Sequence, residues 1–151
     1  MVVRKRNFVI KSIIAGTIAG LFLGFLFKYV EVTFNIRVYT LLLNIDFIPI
    51  FGNYNYPEFV EFLLHLLIAI GLSAVMVYII YFKKYLKRHQ LIVVILTSVL
   101  IALVYFPTTV LSNRTPALTS VEALAVWIVG HLLFGIVLAS LYVIMFKNKK
   151  I

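Results

Sequence analysis

Four stretches of this chain, residues 12–27, 62–82, 91–113 and 123–146, contain no Asp, Glu, Lys or Arg. A helix needs roughly 20 mainly apolar residues to cross a bilayer. The hydrocarbon interior offers no partners to backbone N–H and C=O groups, so a spanning segment must satisfy them internally, as a helix does. The first stretch is short, but Lys11 and Lys28 at its ends have apolar stems that can reach outward and lengthen it. Pro107 lies in the third stretch and cannot donate a backbone hydrogen bond, so that helix is expected to kink or end at Phe106-Pro107. The fold expected is an all-α integral membrane protein. It has one domain over 1–151, with spans about 9–30, 59–82, 91–110 and 121–146.

Composition excludes the main alternatives. Hydrophobic residues make up 64% of the chain and charged residues 13%. Soluble domains average about 45–50% apolar and about 25% charged. A fold of this size has no interior large enough to hide the excess. A soluble enzyme, a disordered tail and a disulfide scaffold are set aside, and the chain has 0 Cys. The formal net charge is +9, but no nucleic-acid motif accompanies it, so the bases are read as topology signals and headgroup contacts.

Their positions set an orientation. Arg4, Lys5, Arg6 and Lys11 precede the first span, and Lys83, Lys84, Lys87 and Arg88 lie between the second and third. Lys147, Lys149 and Lys150 follow the fourth. Only Lys28, Arg37 and Arg114 fall on the other side, and all five acids, Glu31, Asp46, Glu58, Glu61 and Glu122, lie on or near that same side. The positive-inside rule then puts both termini in the cytoplasm. The first span is read as an uncleaved helix because no small-x-small cleavage site follows its apolar core. The outer connection 31–57 is long and partly apolar. VYTLLLNIDFIPIF is expected to form an interfacial helix, a lid or a re-entrant element, ended by Pro49 and Gly52-Asn53. Tyr29, Tyr39, Tyr54 and Tyr56 suit the outer headgroup layer, as Tyr81, Phe82 and Tyr85 suit the inner one. Asn113-Arg114-Thr115 matches a glycosylation acceptor by a three-residue pattern too common to carry a role.

Three features carry candidate function. In the first span Gly16, Gly20 and Gly24 recur at i, i+4 and i+8, a doubled GxxxG face that admits another helix backbone. The partner is a span of the same chain or a second protomer; Gly130, Gly135 and Ala139 of the fourth span offer a complementary surface. In the second span Glu58, Glu61 and His65 share a helix face, continued by Ala69 and Ser73, and an acid one turn from an imidazole can relay protons. Against this stands an interfacial acid pair with a histidine bonded to backbone. EFVEFLLH is not the HExxH of a zinc protease. In the fourth span His131 lies roughly 15 Å from the outer end, on a face shared with Trp127, Gly135 and Tyr142. A polar group at such depth faces a bundle interior or a wet cavity. Glu122 points to nearly the opposite side. Thr97 and Ser98 are expected to bond their own helix backbone.

GTIAGLFLGFLFKYVEV, HLLIAIGLSAVMVY, the Phe106-Pro107 break and GHLLFGIVLASLY together resemble the YagU-like family of small bacterial inner-membrane proteins. The resemblance runs from about 13 to 145 and carries the family motif onto Gly16, Gly20, His65, Pro107, Gly130 and His131. It implies a role in acid resistance at the cytoplasmic membrane. The family pattern places an acid four residues before the last histidine. Here that residue is Trp127, so either the chain lacks the function of that pair or the acid comes from Glu61 or Glu122 in space.

The reading is an oligomeric channel or transporter that handles protons or a small solute, with His131, His65, Glu61 and Glu58 along the pathway. The alternative is a non-transporting accessory protein that packs with a partner through the glycine face. An intramembrane enzyme lacks convergent polar groups. The expected partners are the lipid bilayer and a homo-oligomer or membrane protein; no cofactor, metal or nucleic acid is expected.

Overall fold

The computed structural model describes residues 2–45, 56–83 and 87–146. Pro49, Gly52-Asn53, Asp46, Tyr54, Lys84, Tyr85, Lys147, Lys149 and Lys150 lie outside the described residues. Among the described residues every regular element is helical: α1 (Val2–Phe34), α2 (Val38–Leu43), α3 (Glu58–Lys83), α4 (Lys87–Tyr105), a 3-10 helix (Phe106–Leu111) and α5 (Val121–Met145). Four segments are long and apolar enough to cross a membrane: Asn7–Phe34, Glu58–Ile80, Arg88–Leu111 and Val121–Met145. Large apolar side chains line their outer faces, among them Ile18, Phe25, Leu67, Leu100 and Ile144. A surface this apolar is suited to lipid, not water.

Helix ends follow local chemistry. α1 runs past the expected boundary at 30 and stops at Asn35, whose φ of 59° is the left-handed conformation that asparagine tolerates at a helix C-terminus. The Asn35 amide still donates to Glu31 O at 2.9 Å. Pro107 ends α4 as an α-helix, and the chain tightens into the 3-10 segment with the proline in its first turn. α5 starts at Ser120, whose Oγ accepts from the Ala123 amide at 3.3 Å.

α1 and α5 form the central pair; α3 packs on α1 and α4 on α5. α3 and α4 follow one another in the chain, yet their described residues make no comparable contact. The first turns of α1 and the end of α5 lie together: Phe8 stacks on Phe146 at 5.1 Å, and Lys11 Nζ donates to Met145 O. At the other end α2 lies against α1 and α3, burying Val38, Leu41 and Leu43. The two carboxylate oxygens of Glu31 hold it there, accepting from Thr40 N at 2.8 Å and Thr40 Oγ1 at 2.6 Å.

Lipid gives helices no hydrophobic reason to associate, so contact quality and interhelical hydrogen bonds must hold them together. A Cβ at Gly16 would stand 2.7 Å from Ile70 Cα and 2.9 Å from Ala69 O, both backbone of α3. One at Gly20 would stand 2.9 Å from Ala69 Cβ. The chain's own α3 therefore fills this part of the glycine face. Gly24 receives the Phe62 ring of α3, Gly130 the Phe27 ring of α1, and Gly135 the α4 backbone at Ile95. Next to Gly16, Ser73 Oγ donates to Ser12 O at 2.7 Å and Tyr142 OH donates to Ser73 O at 2.7 Å, joining α1, α3 and α5.

Gly16→Ala is expected to lower the melting temperature in detergent, because the obstacle is backbone that cannot rotate away. Gly71 has nothing within 4 Å of an added Cβ. Gly71→Ala is expected to be neutral or to stabilise, by up to about 1 kcal/mol of helix propensity. Equal losses for the two variants would contradict the close-packing account.

Candidate functional site

A cavity of about 120 Å³ lies between α3 and α4, floored by α1 and α5 and covered by the α2 segment. His65 and Glu61 line it from α3, His131 and Trp127 from α5, Ser98 and Tyr105 from α4, and Asn44 from the end of α2. The rest of its wall is almost wholly apolar. Its lips, Ile68 on α3 and Ile101 on α4, are 68% and 36% exposed. Both stand on helices long and apolar enough to cross a membrane. The Ser12, Ser73 and Tyr142 cluster closes the bundle on the terminal side.

α3 presents this site because Glu61, His65, Ala69 and Ser73 recur every four residues and form one buried stripe. Among the acids of the expected pathway only Glu61 reaches the cavity. Its carboxylate takes both guanidinium nitrogens of Arg114, Nη1 at 3.0 Å and Nη2 at 3.2 Å. The Glu61 side chain is 4% exposed and that of Arg114 is 47%. Arg114 is held by an ordered loop in which Thr115 Oγ1 donates to Thr109 O and Ser112 O, each at 3.0 Å. Glu58 instead sits outside the cavity, accepting from Lys28 Nζ at 2.6 Å and Tyr39 OH at 2.8 Å. Burial of Tyr39 and the Glu58 carboxylate beside it raise the Tyr39 phenol well above its ordinary range.

The two histidines are held by backbone, not by carboxylate. His65 Nε2 lies 3.2 Å from Gly20 O, and His131 Nδ1 lies 3.0 Å from Trp127 O. A carbonyl only accepts, so each bonded nitrogen must carry the proton. In the neutral form the tautomers are therefore set. His65 keeps a bare Nδ1, and His131 keeps a bare Nε2. The Gly20 carbonyl can serve twice, because it has two lone pairs and glycine leaves it unshielded. Trp127 occupies the place four residues before His131 and supplies its carbonyl there; its ring lies 4.3 Å from the imidazole. Phe27 stacks on Trp127 at 5.2 Å and reaches His131 at 5.8 Å.

Among the described residues no group of three His, Asp or Glu side chains is placed to hold a metal ion. Glu122 is exposed on the outer side of α5. Ser98 bonds its own helix at Val94 O, 2.9 Å away. Sequence reasoning did not single out Arg114, Asn44, Tyr105 or the Ser12–Ser73–Tyr142 cluster. For Arg114 one signal was present: a lone arginine between two candidate spans, on the same side as the two acids, Glu58 and Glu61, in the first turn of an otherwise apolar helix.

The chain matches no family model, no curated protein and no solved structure.

Removing Arg114 leaves a buried carboxylate unpaired, which is the costly way to break such a pair. Arg114→Ala is expected to destabilise the protein more in the native background than in Glu61→Gln. A double-mutant cycle on detergent unfolding should give a coupling of about 1–3 kcal/mol, reduced toward the lower figure because the arginine is half exposed. Additive losses would mean that the pair contributes nothing.

Proposed function

We propose that this chain is a multi-pass protein of the bacterial cytoplasmic membrane that takes up a proton or a small solute at the His65–His131 cavity. The observation that carries the reading is the convergence of two buried imidazoles from different helices on one cavity. Each keeps a nitrogen able to accept a proton. The titratable groups facing that space are Glu61, His65, His131 and Tyr105, with Arg114 bonded to Glu61.

The cavity occupies the half of the bundle near α2, and the other half is closed by Gly16 against α3 and by the serine–tyrosine bonds. With the basic ends cytoplasmic, the cavity belongs to the outer half. Passage to the inside then requires α1, α3 and α5 to part at Ser12, Ser73 and Tyr142. A homo-oligomer is part of the proposal, because four spans leave little room for a pathway within one chain. The resemblance to the YagU-like family adds acid resistance as the setting. The accessory reading gains no support from the first span, whose glycines are covered by the chain's own side chains and backbone.

Two measurements test this. A reporter fused after Ile151 is expected to be cytoplasmic; a surface-exposed reporter reverses the inner and outer assignments. In proteoliposomes under a pH gradient, His131→Ala and His65→Ala are each expected to lower flux by about tenfold or more, the effect of ~1.4 kcal/mol. Wild-type flux in both variants removes the histidines from the pathway.

A further inference from the structure

The cavity's chemistry specifies a ligand more narrowly than a small solute. Its lining residues Ile68 and Ile101 are exposed on two helices apolar enough to cross a membrane, so an occupant can arrive from the lipid between them. Its volume of about 120 Å³ is that of a single ring. An apolar cavity of about 150 Å³ accommodates benzene, whereas drug-sized ligands need about 300 Å³ or more. Only the head of an amphiphile fits, and its tail must leave between Ile68 and Ile101.

The polar content narrows the head. His131 is buried, its Nδ1 is committed to the Trp127 carbonyl, and among the described residues its Nε2 has no hydrogen-bond partner. In the neutral form that nitrogen is an acceptor, as is the bare Nδ1 of His65. Both call for a donor. The Glu61 carboxylate is already matched by Arg114, so the site holds no uncompensated charge to recruit an ion. Trp127, Tyr105 and Phe134 supply aromatic walls, which favour a flat ring packed face or edge on.

We propose that the cavity binds the phenolic headgroup of a membrane-dissolved amphiphile, its hydroxyl donating to His131 Nε2 and its tail remaining in the bilayer between α3 and α4. This deepens the cavity reading by naming a ligand class for the same site. It concerns binding alone.

The chain has a single tryptophan, and it lines the cavity, so Trp127 emission reports occupancy directly. The full chain in lipid nanodiscs is titrated with para-octylphenol and with its methyl ether, which keeps ring and tail but cannot donate. Excitation at the red edge of tryptophan absorption avoids the phenol, and empty nanodiscs correct for partitioning. The phenol is expected to give a saturable change and to bind about tenfold more tightly than the ether, the effect of one hydrogen bond in a dry site. His131→Leu should bring the two ligands to within about twofold of each other. If that variant does not fold, the phenol–ether ratio in the native chain decides alone. Equal binding of phenol and ether, or a change that never saturates, overturns the inference. Loss of flux in the histidine variants with no phenol preference would retain the proton reading and remove this one. A phenol preference with unaffected flux would do the reverse.

Discussion

The approach of α1 to α3 at Gly16 and Gly20 is the contact on which the rest of the bundle depends. In lipid the helices gain little by hiding apolar surface from one another, so close contact and hydrogen bonds must hold them. Two glycines let the backbones meet, and this one contact has three consequences. It brings Ser73 onto the Ser12 carbonyl, it bares the Gly20 carbonyl to His65, and it buries the Glu61–His65–Ala69 stripe, with His65 and Ala69 against α1. A glycine in a membrane helix removes bulk and also uncovers a polar backbone atom. The position of His65 uses both effects.

The bundle is asymmetric along its length as a result. Its terminal half is locked by small residues, serine hydroxyls and Tyr142. Its other half holds the cavity, where α3 and α4 lean on different central helices and their described residues make little contact with each other. The cavity is covered by α2, which is tied to α1 through Glu31 and to α4 through the bond from Tyr105 OH to Asn44 O at 2.7 Å. Arg114 joins the top of α3 to the loop after α4. Polar groups thus frame the cavity at its rim and floor, while its wall and its exit remain apolar. That distribution suits a ligand with one polar end.

Particular residues show how far the chain could be read before folding. The four spans were legible because uncharged length is a one-dimensional property that the bilayer imposes directly. Pro107 marked the end of α4 for an equally local reason, its missing N–H. The position of His131 along α5 could be read by counting residues at a fixed rise. Glu58 and Glu61 share a helical period, but only Glu61 turns inward. Lys28 and Tyr39 draw Glu58 to the surface, and neither is near it in sequence. The doubled GxxxG identified a packing face without identifying the partner, since intramolecular and intermolecular contacts use the same small residues.

The sequence by itself therefore determined the number of helices long and apolar enough to span a membrane, the segregation of basic residues and the approximate helix limits, because each is a property of the chain read along its length. Which histidine faces which helix was decided by tertiary structure alone. α5 is apolar around its whole circumference, so no periodicity marks an inner face. The direction of His131 is set by Phe27 seated over Gly130 and by the Trp127 ring beside it. Those are contacts of shape between distant parts of the chain, and shape is what a hydropathy pattern does not encode.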